Sequence, residues 1–144
     1  MLGTLAKWLR IYGFDTSYAN SEIDDDEILK ISKKENRILV TRDKNLINRA
    51  RRENIKNIMI TSTEIDKQIK TTLEDYKINT DKILSRCIIC NSIVKEIKKE
   101  DVKEKVPKRI FEIKNKYLFC PKCNKIYWKG SHYENMIEKI KNLG

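Results

Sequence analysis

The sequence is poor in several residue types. Its 144 residues include one histidine, four glycines and two prolines, and no long apolar run. Each shortage excludes something. A transmembrane helix needs about 18 consecutive apolar residues, and no stretch approaches that length. Met1 to Arg10 holds neither a long apolar core nor a small-residue cleavage site, so no secretory leader is expected. The chain therefore reads as cytoplasmic, with no membrane partner. His132 stands alone, so a histidine-based hydrolytic triad is not available. No Gly/Ser-rich or Pro-rich linker divides the chain, so its parts are expected to pack together.

What is present is charge and enough apolar surface for a core. Hydrophobic residues make up 40% of the chain, which excludes global disorder. Lys and Arg number 31 against 21 Asp and Glu, a net charge of +10. Residues 1–86 carry 17 basic and 14 acidic groups, and residues 87–144 carry 14 and 7. Such a balance points to an anionic partner, with RNA the first candidate. A bias toward Ile, Lys and Asn is the competing explanation of the same charge. All four cysteines fall in the second part. The boundary is placed near Leu84–Arg86, giving an α/β domain over 1–84 and a metal module with a terminal helix over 85–144.

The first part alternates helix and strand signals. Leu2, Leu5, Ala6, Leu9 and Tyr12 share a helical face, and Gly13 stands where a helix C′ residue belongs. Asp15 to Ala19 reads as a short strand. Asp24 or Asp25 can cap a helix bearing Ile28, Leu29 and Ser32. Arg37 to Thr41 and Asn57 to Ile60 read as buried strands around a basic helix with Leu46, Ile47 and Ala50. Thr61 to Glu64 has the form of a capping box before Ile65, Ile69 and Leu73. Alternating strands and helices predict a parallel sheet. In the second part, strands are expected over Ser92–Ile97, Arg109–Phe119 and Lys125–Trp128. Lys98 to Lys105 reads as solvated. Ser131 to Glu134 is a second capping box, opening a helix with Tyr133, Met136, Ile137 and Ile140 on one face.

Two Cys-x-x-Cys pairs are the strongest local chemistry. Cys87 with Cys90, and Cys120 with Cys123, offer four thiolates for one tetrahedral ion. A filled four-cysteine site has no open position, which makes it structural, and zinc is the expected metal. The 29 residues between the pairs exceed the usual spacing but accommodate a hairpin between two metal loops. Disulfides, a redox dithiol and unrelated buried cysteines are the alternatives.

The carboxylates are the second feature. Glu22, Asp24, Asp25, Asp26 and Glu27 gather at an expected helix start, where acids serve commonly as caps. Asp43 directly follows the strand Arg37–Thr41, at the ligand edge of a parallel sheet. Converging carboxylates there suit Mg²⁺ or Mn²⁺. Such an ion can orient water and stabilise a phosphodiester transition state.

These segments resemble a known family. Met1-Leu2-Gly3-Thr4-Leu5-Ala6-Lys7-Trp8-Leu9-Arg10, Gly13-Phe14-Asp15-Thr16, Asp24 to Leu29, and Arg37 to Asp43 are similar to the Mut-seven C-terminal RNase domain. The tail agrees in Ser85-Arg86-Cys87, Cys90, Val106-Pro107, Cys120-Pro121, Cys123 and Tyr127 to His132. The resemblance implies a PIN-like α/β nuclease domain followed by a zinc ribbon. It implies Asp25 as the helix-start acid, with Asp26 its alternate, and Asp43 as the acid of the Thr-x-Asp motif. Cys87, Cys90, Cys120 and Cys123 match the zinc ligands.

Two departures stand out. The family begins with an apolar strand ending in Asp, and this sequence starts at the segment that follows it, so a start placed too late is expected. The acid often found two residues beyond the Thr-x-Asp acid is Asn45 here. The expected function is a Mg²⁺- or Mn²⁺-dependent endoribonuclease, a hydrolase with Asp25, Asp26 and Asp43 as its catalytic residues. Lys7, Arg10, Arg42, Lys44, Arg49, Arg51, Arg52 and His132 are the candidate RNA contacts. For these bases a solvated helix face is the competing reading. The alternative function is a catalytically impaired RNA- or ribosome-binding ribbon protein. In that reading Tyr127, Trp128 or Tyr133 would stack on bases, unless they are buried in a small core instead.

Overall fold

A computed structural model describes residues 2–143, with the side chains of His132 and residues 140–143 outside that description. The chain has two compact units. The first takes residues up to 6 and 17–77, and the second takes residues 7–16 and those from 78 onward. Helix α1 (Gly3–Ile11) supplies residues to both. Among the described residues no helix is long and apolar enough to cross a membrane.

The first unit is a βαβ arrangement with flanking helices. It holds α2 (Asp25–Lys34), β1 (Leu39–Thr41), α3 (Lys44–Arg52), β2 (Asn57–Met59) and α4 (Ile65–Thr72). Strands β1 and β2 pair in parallel, with Leu39 opposite Asn57 and Thr41 opposite Met59. Leu29, Leu39, Leu46, Ala50 and Ile55 form a buried cluster between helices and sheet.

A sequence with four glycines must turn its helix ends by other means. Asn36 and Asn54 follow α2 and α3 with φ of 52° and 59°. Asparagine tolerates the left-handed region better than other side chains do. Each end carries the bond pattern of a Schellman motif. The Arg37 N–H donates to Ser32 O and the Ile55 N–H to Ala50 O. Helix α1 ends the same way at Gly13, where the Phe14 N–H donates to Leu9 O. There a Cβ would meet Lys82 O at 2.5 Å and φ is +94°, so only glycine fits.

The second unit is built on an antiparallel sheet of order β3 (Lys95–Ile97), β4 (Tyr117–Phe119) and β5 (Ile126–Tyr127). Helices α5 (Lys108–Ile113) and α6 (Ser131–Leu143) complete it. Its core is Val102, Val106 and Tyr117, packed by Ile97, Ile110, Phe111, Ile126 and Trp128.

Several expectations are corrected. Asp15–Ala19 is not a strand: the Thr16 N–H donates to Asn91 Oδ1, and Asn91 Nδ2 donates to Asp15 Oδ1, in place of ladder bonds. Arg109–Phe119 is strand only over Tyr117–Phe119: it begins as helix α5, which Pro107 opens and Tyr117 Oη closes by donating to Ile110 O and Lys114 O. Lys98–Lys105 is not uniformly solvated, since Val102 is fully buried within it. The Thr61 capping box does not form. Helix α4 starts at Ile65, and Ser62 Oγ instead accepts the Glu64 N–H. The strand expected from Arg37 shortens to Leu39–Thr41. In α6, Met136 is buried, and the Ile140 side chain lies outside the described residues.

Candidate metal centre and acidic face

The four cysteines meet. The sulfurs of Cys87, Cys90, Cys120 and Cys123 all lie within 4.8 Å of one another, and those of Cys90 and Cys120 are 3.5 Å apart. Zn–S bonds of 2.3 Å in a tetrahedron place sulfurs about 3.8 Å apart, so the cluster needs only a small contraction around an ion. Among the described residues it is the one group of three or more metal-ligating side chains this close together.

The two loops share one backbone plan. Cys87 is followed four residues on by Asn91, and Cys120 by Asn124, with φ of 70° and 57°. The Asn91 N–H donates to Cys87 O and the Asn124 N–H to Cys120 O. The Cys87 N–H donates to Ser92 O and the Cys120 N–H to Lys125 O. These left-handed asparagines bring each second cysteine back toward the first. Their signal was in the sequence as Cys-x-x-Cys-Asn, twice.

Tyr127 is buried in this centre. Its hydroxyl accepts the Ile88 N–H at 3.1 Å and shares a hydrogen bond of 3.1 Å with Cys87 Sγ. That placement rules out base stacking by Tyr127. Burial pushes the Cys87 thiol up, but Tyr127 and the N–H groups of Cys90 and Ile89 hold it below the usual value. A hydrogen bond from Ser92 lowers Cys90 to about 6, against its burial. Hydrogen bonding to Cys90, then burial, pushes Cys123 up to about 12. Burial also raises Cys120 and Tyr127. Four sulfurs this close cannot all carry charge alone, and a divalent cation is what lets them.

The acids are placed differently. Asp24 is the N-cap of α2, accepting the Glu27 N–H. Asp25 and Asp26 occupy the first turn, where the helix dipole favours them. Asp26 pairs with Arg49 of α3. Asp43 follows β1 and caps α3, with Oδ1 accepting the N–H groups of both Asn45 and Leu46. The cap uses Oδ1 alone.

The expected RNA contacts divide. Lys7, Lys44, Arg51 and Arg52 are exposed, whereas Arg42 and Arg49 are half-buried. Arg10 is only 9% exposed and donates to three backbone carbonyls, so it is part of the fold and not a surface contact. The His132 side chain lies outside the described residues. Sequence reasoning passed over Lys30, Lys33 and Lys34, which with Arg49 line a cleft of about 510 Å³ between α2 and α3. Their i, i+3, i+4 spacing was the available signal.

A family model described as Mut7-C RNAse domain matches residues 1–140. Neither the curated proteins nor the solved structures give a match.

Proposed function

The chain belongs to the Mut7-C RNAse domain family, and from that premise we propose that it is a metal-dependent ribonuclease of PIN-like type, cleaving RNA phosphodiesters. The observation that carries the proposal is Asp43. It follows the C-terminal end of β1 in a β1–α3–β2 unit, the edge at which parallel sheets bind ligands. The helix preceding β1 begins with Asp25 and Asp26.

Asp25 and Asp43 are the residues that would hold a Mg²⁺ or Mn²⁺ ion, since carboxylate oxygens are the donors these ions prefer. Asp43 Oδ2 is the oxygen its cap does not use. When bound, such an ion supplies an oriented water and charge stabilisation for the departing phosphodiester oxygen. Asp26 is the alternate ligand, at the cost of its pairing with Arg49. Lys44, Arg51 and Arg52 are exposed on the helix that Asp43 caps and would neutralise RNA phosphates. The four cysteines would hold a structural zinc. Four thiolates complete its coordination, so this ion takes no part in hydrolysis.

The test is RNA cleavage in Mn²⁺ by the parent and by Asp43→Asn. Asparagine caps helices as well as aspartate does, so the fold stays intact. Activity should fall by at least about 100-fold, the scale of losing one positioned electrostatic group. Equal cleavage by Asp43→Asn would show the site to be wrongly assigned. A second reading, RNA binding without cleavage, is favoured by the local engagement of Asp26 and Asp43. It predicts salt-sensitive RNA binding with no cleavage by either protein.

A further inference from the structure

We propose that Arg10 is a positioning residue of the metal centre: it holds the Cys87–Cys90 loop in the shape that lets both sulfurs of that loop share one ion. The inference rests on the reading of the cysteines as a zinc site.

Arg10 carries a permanent charge yet is 9% exposed. A buried guanidinium needs partners for its donors, and here they are backbone carbonyls. Nε donates to Thr16 O at 2.9 Å. Nη1 donates to Ile88 O at 2.7 Å and to Ile89 O at 3.1 Å. Ile88 and Ile89 are the two residues between the ligands of the first loop.

The peptide bond turns this contact into control of the sulfur. A peptide unit is planar, so its carbonyl and the next N–H point in opposite directions. The Ile88 carbonyl shares its plane with the Ile89 N–H, and the Ile89 carbonyl with the Cys90 N–H. Those two N–H groups favour the Cys87 thiolate. Arg10 therefore grips the far ends of both peptide units. Its positive charge also polarises them, which strengthens N–H donation to a thiolate.

The same segment grips the end of the loop. Asn91 Oδ1 accepts the Thr16 N–H at 2.9 Å, and Asn91 Nδ2 donates to Asp15 Oδ1 at 2.7 Å. Arg86 Nη1 donates to Asn91 O at 2.9 Å. Residues 10–16 thus reach every residue from Ile88 to Asn91 except the second ligand itself. This accounts for residues 7–16 belonging to the metal-binding unit although some seventy residues of sequence separate them.

The experiment compares the full-length parent with Arg10→Gln and Arg10→Lys. Zinc affinity is read by chelator competition, and amide hydrogen exchange is read in the zinc-loaded proteins. Removing an outer partner of a metal ligand typically weakens binding about 10- to 100-fold, and that loss is expected for Arg10→Gln. Exchange should accelerate at Ile89 and Cys90 and stay unchanged at Lys122 and Cys123 of the second loop. Arg10→Lys keeps the charge but not the forked donor set, and should fall between the two. It carries the test alone if Arg10→Gln does not fold. Parental affinity in the variant, or equal acceleration in both loops, overturns the assignment. A parent that binds no zinc would instead overturn the zinc reading beneath it.

Discussion

The cysteine centre and the acidic face were both visible as clusters in the sequence, and the fold treats them in opposite ways. The cysteines come from two loops 29 residues apart, yet their sulfurs lie within 4.8 Å of one another. The acids stand at helix starts: Asp24 and Asp43 cap α2 and α3, and Asp26 pairs with Arg49 on the neighbouring helix. A thiol has few reasons to sit in a loop beside another thiol unless an ion joins them. A carboxylate at a helix start has an ordinary reason to be there. Convergence across sequence distance is therefore the stronger sign of a site, and the acids need a functional test where the cysteines need a metal assay.

The largest effect should come from breaking the convergence. Cys120 is fully buried among Cys87, Val94 and Tyr127. Replacing it by serine removes one ligand and leaves a hydroxyl among apolar neighbours. Metal binding and folding are one free energy in small sites of this kind. Cys120→Ser, or a chelator on the parent, should abolish the cooperative melting of residues 78–144 while α2–α4 keep their helical signal. Circular dichroism with hydrogen exchange checks this, and an unchanged second unit would mean the cysteines are only core.

The cysteines were legible because ligand spacing is a local pattern that survives any fold. The helices α2 and α3 were legible for a similar reason, since Leu29, Leu46 and Ala50 keep helical periodicity. What was not legible depended on partners far away. Asp15–Ala19 has strand-like residues, but Asn91, 75 residues on from Thr16, takes the backbone donor that a ladder would have used. The Arg109–Phe119 run reads as strand by its apolar content, yet Pro107 and the Tyr117 hydroxyl define a short helix. Arg10 looked like a surface cation because nothing local shows that Ile88 and Ile89 will come to it. Asp43 is the intermediate case: its position after a strand was readable, but whether it caps, catalyses or does both was not.

A middle-sized effect separates those roles for Asp43. Asp43→Ala removes an N-cap with two accepted bonds, and losing such a cap costs about 1 kcal/mol. Asp43→Asn should leave stability unchanged. If both variants lose cleavage equally while only the alanine loses stability, chemistry and capping divide cleanly between the two tests. If Asp43→Asn cleaves normally, the acid serves as a cap alone and resembles Asp24.

The smallest effect should come from Asp26 and Arg49. Asp26 is 82% exposed and Arg49 40%, so water reaches the pair and screens it, and such ion pairs contribute little. Asp26→Asn is therefore expected to leave the melting temperature within error of the parent. Its use lies elsewhere. Asp26 holds Arg49 above its ordinary pKa by hydrogen bond and charge, and it ties the guanidinium to the first turn of α2. Releasing it frees one more cation in the cleft that Lys30, Lys33 and Lys34 line. RNA affinity at low salt should then rise slightly, with a steeper salt dependence, because one more phosphate can be neutralised. Filter binding across a salt series measures this. A fall in cleavage with no change in binding would instead identify Asp26, and not Asp25, as the partner of Asp43.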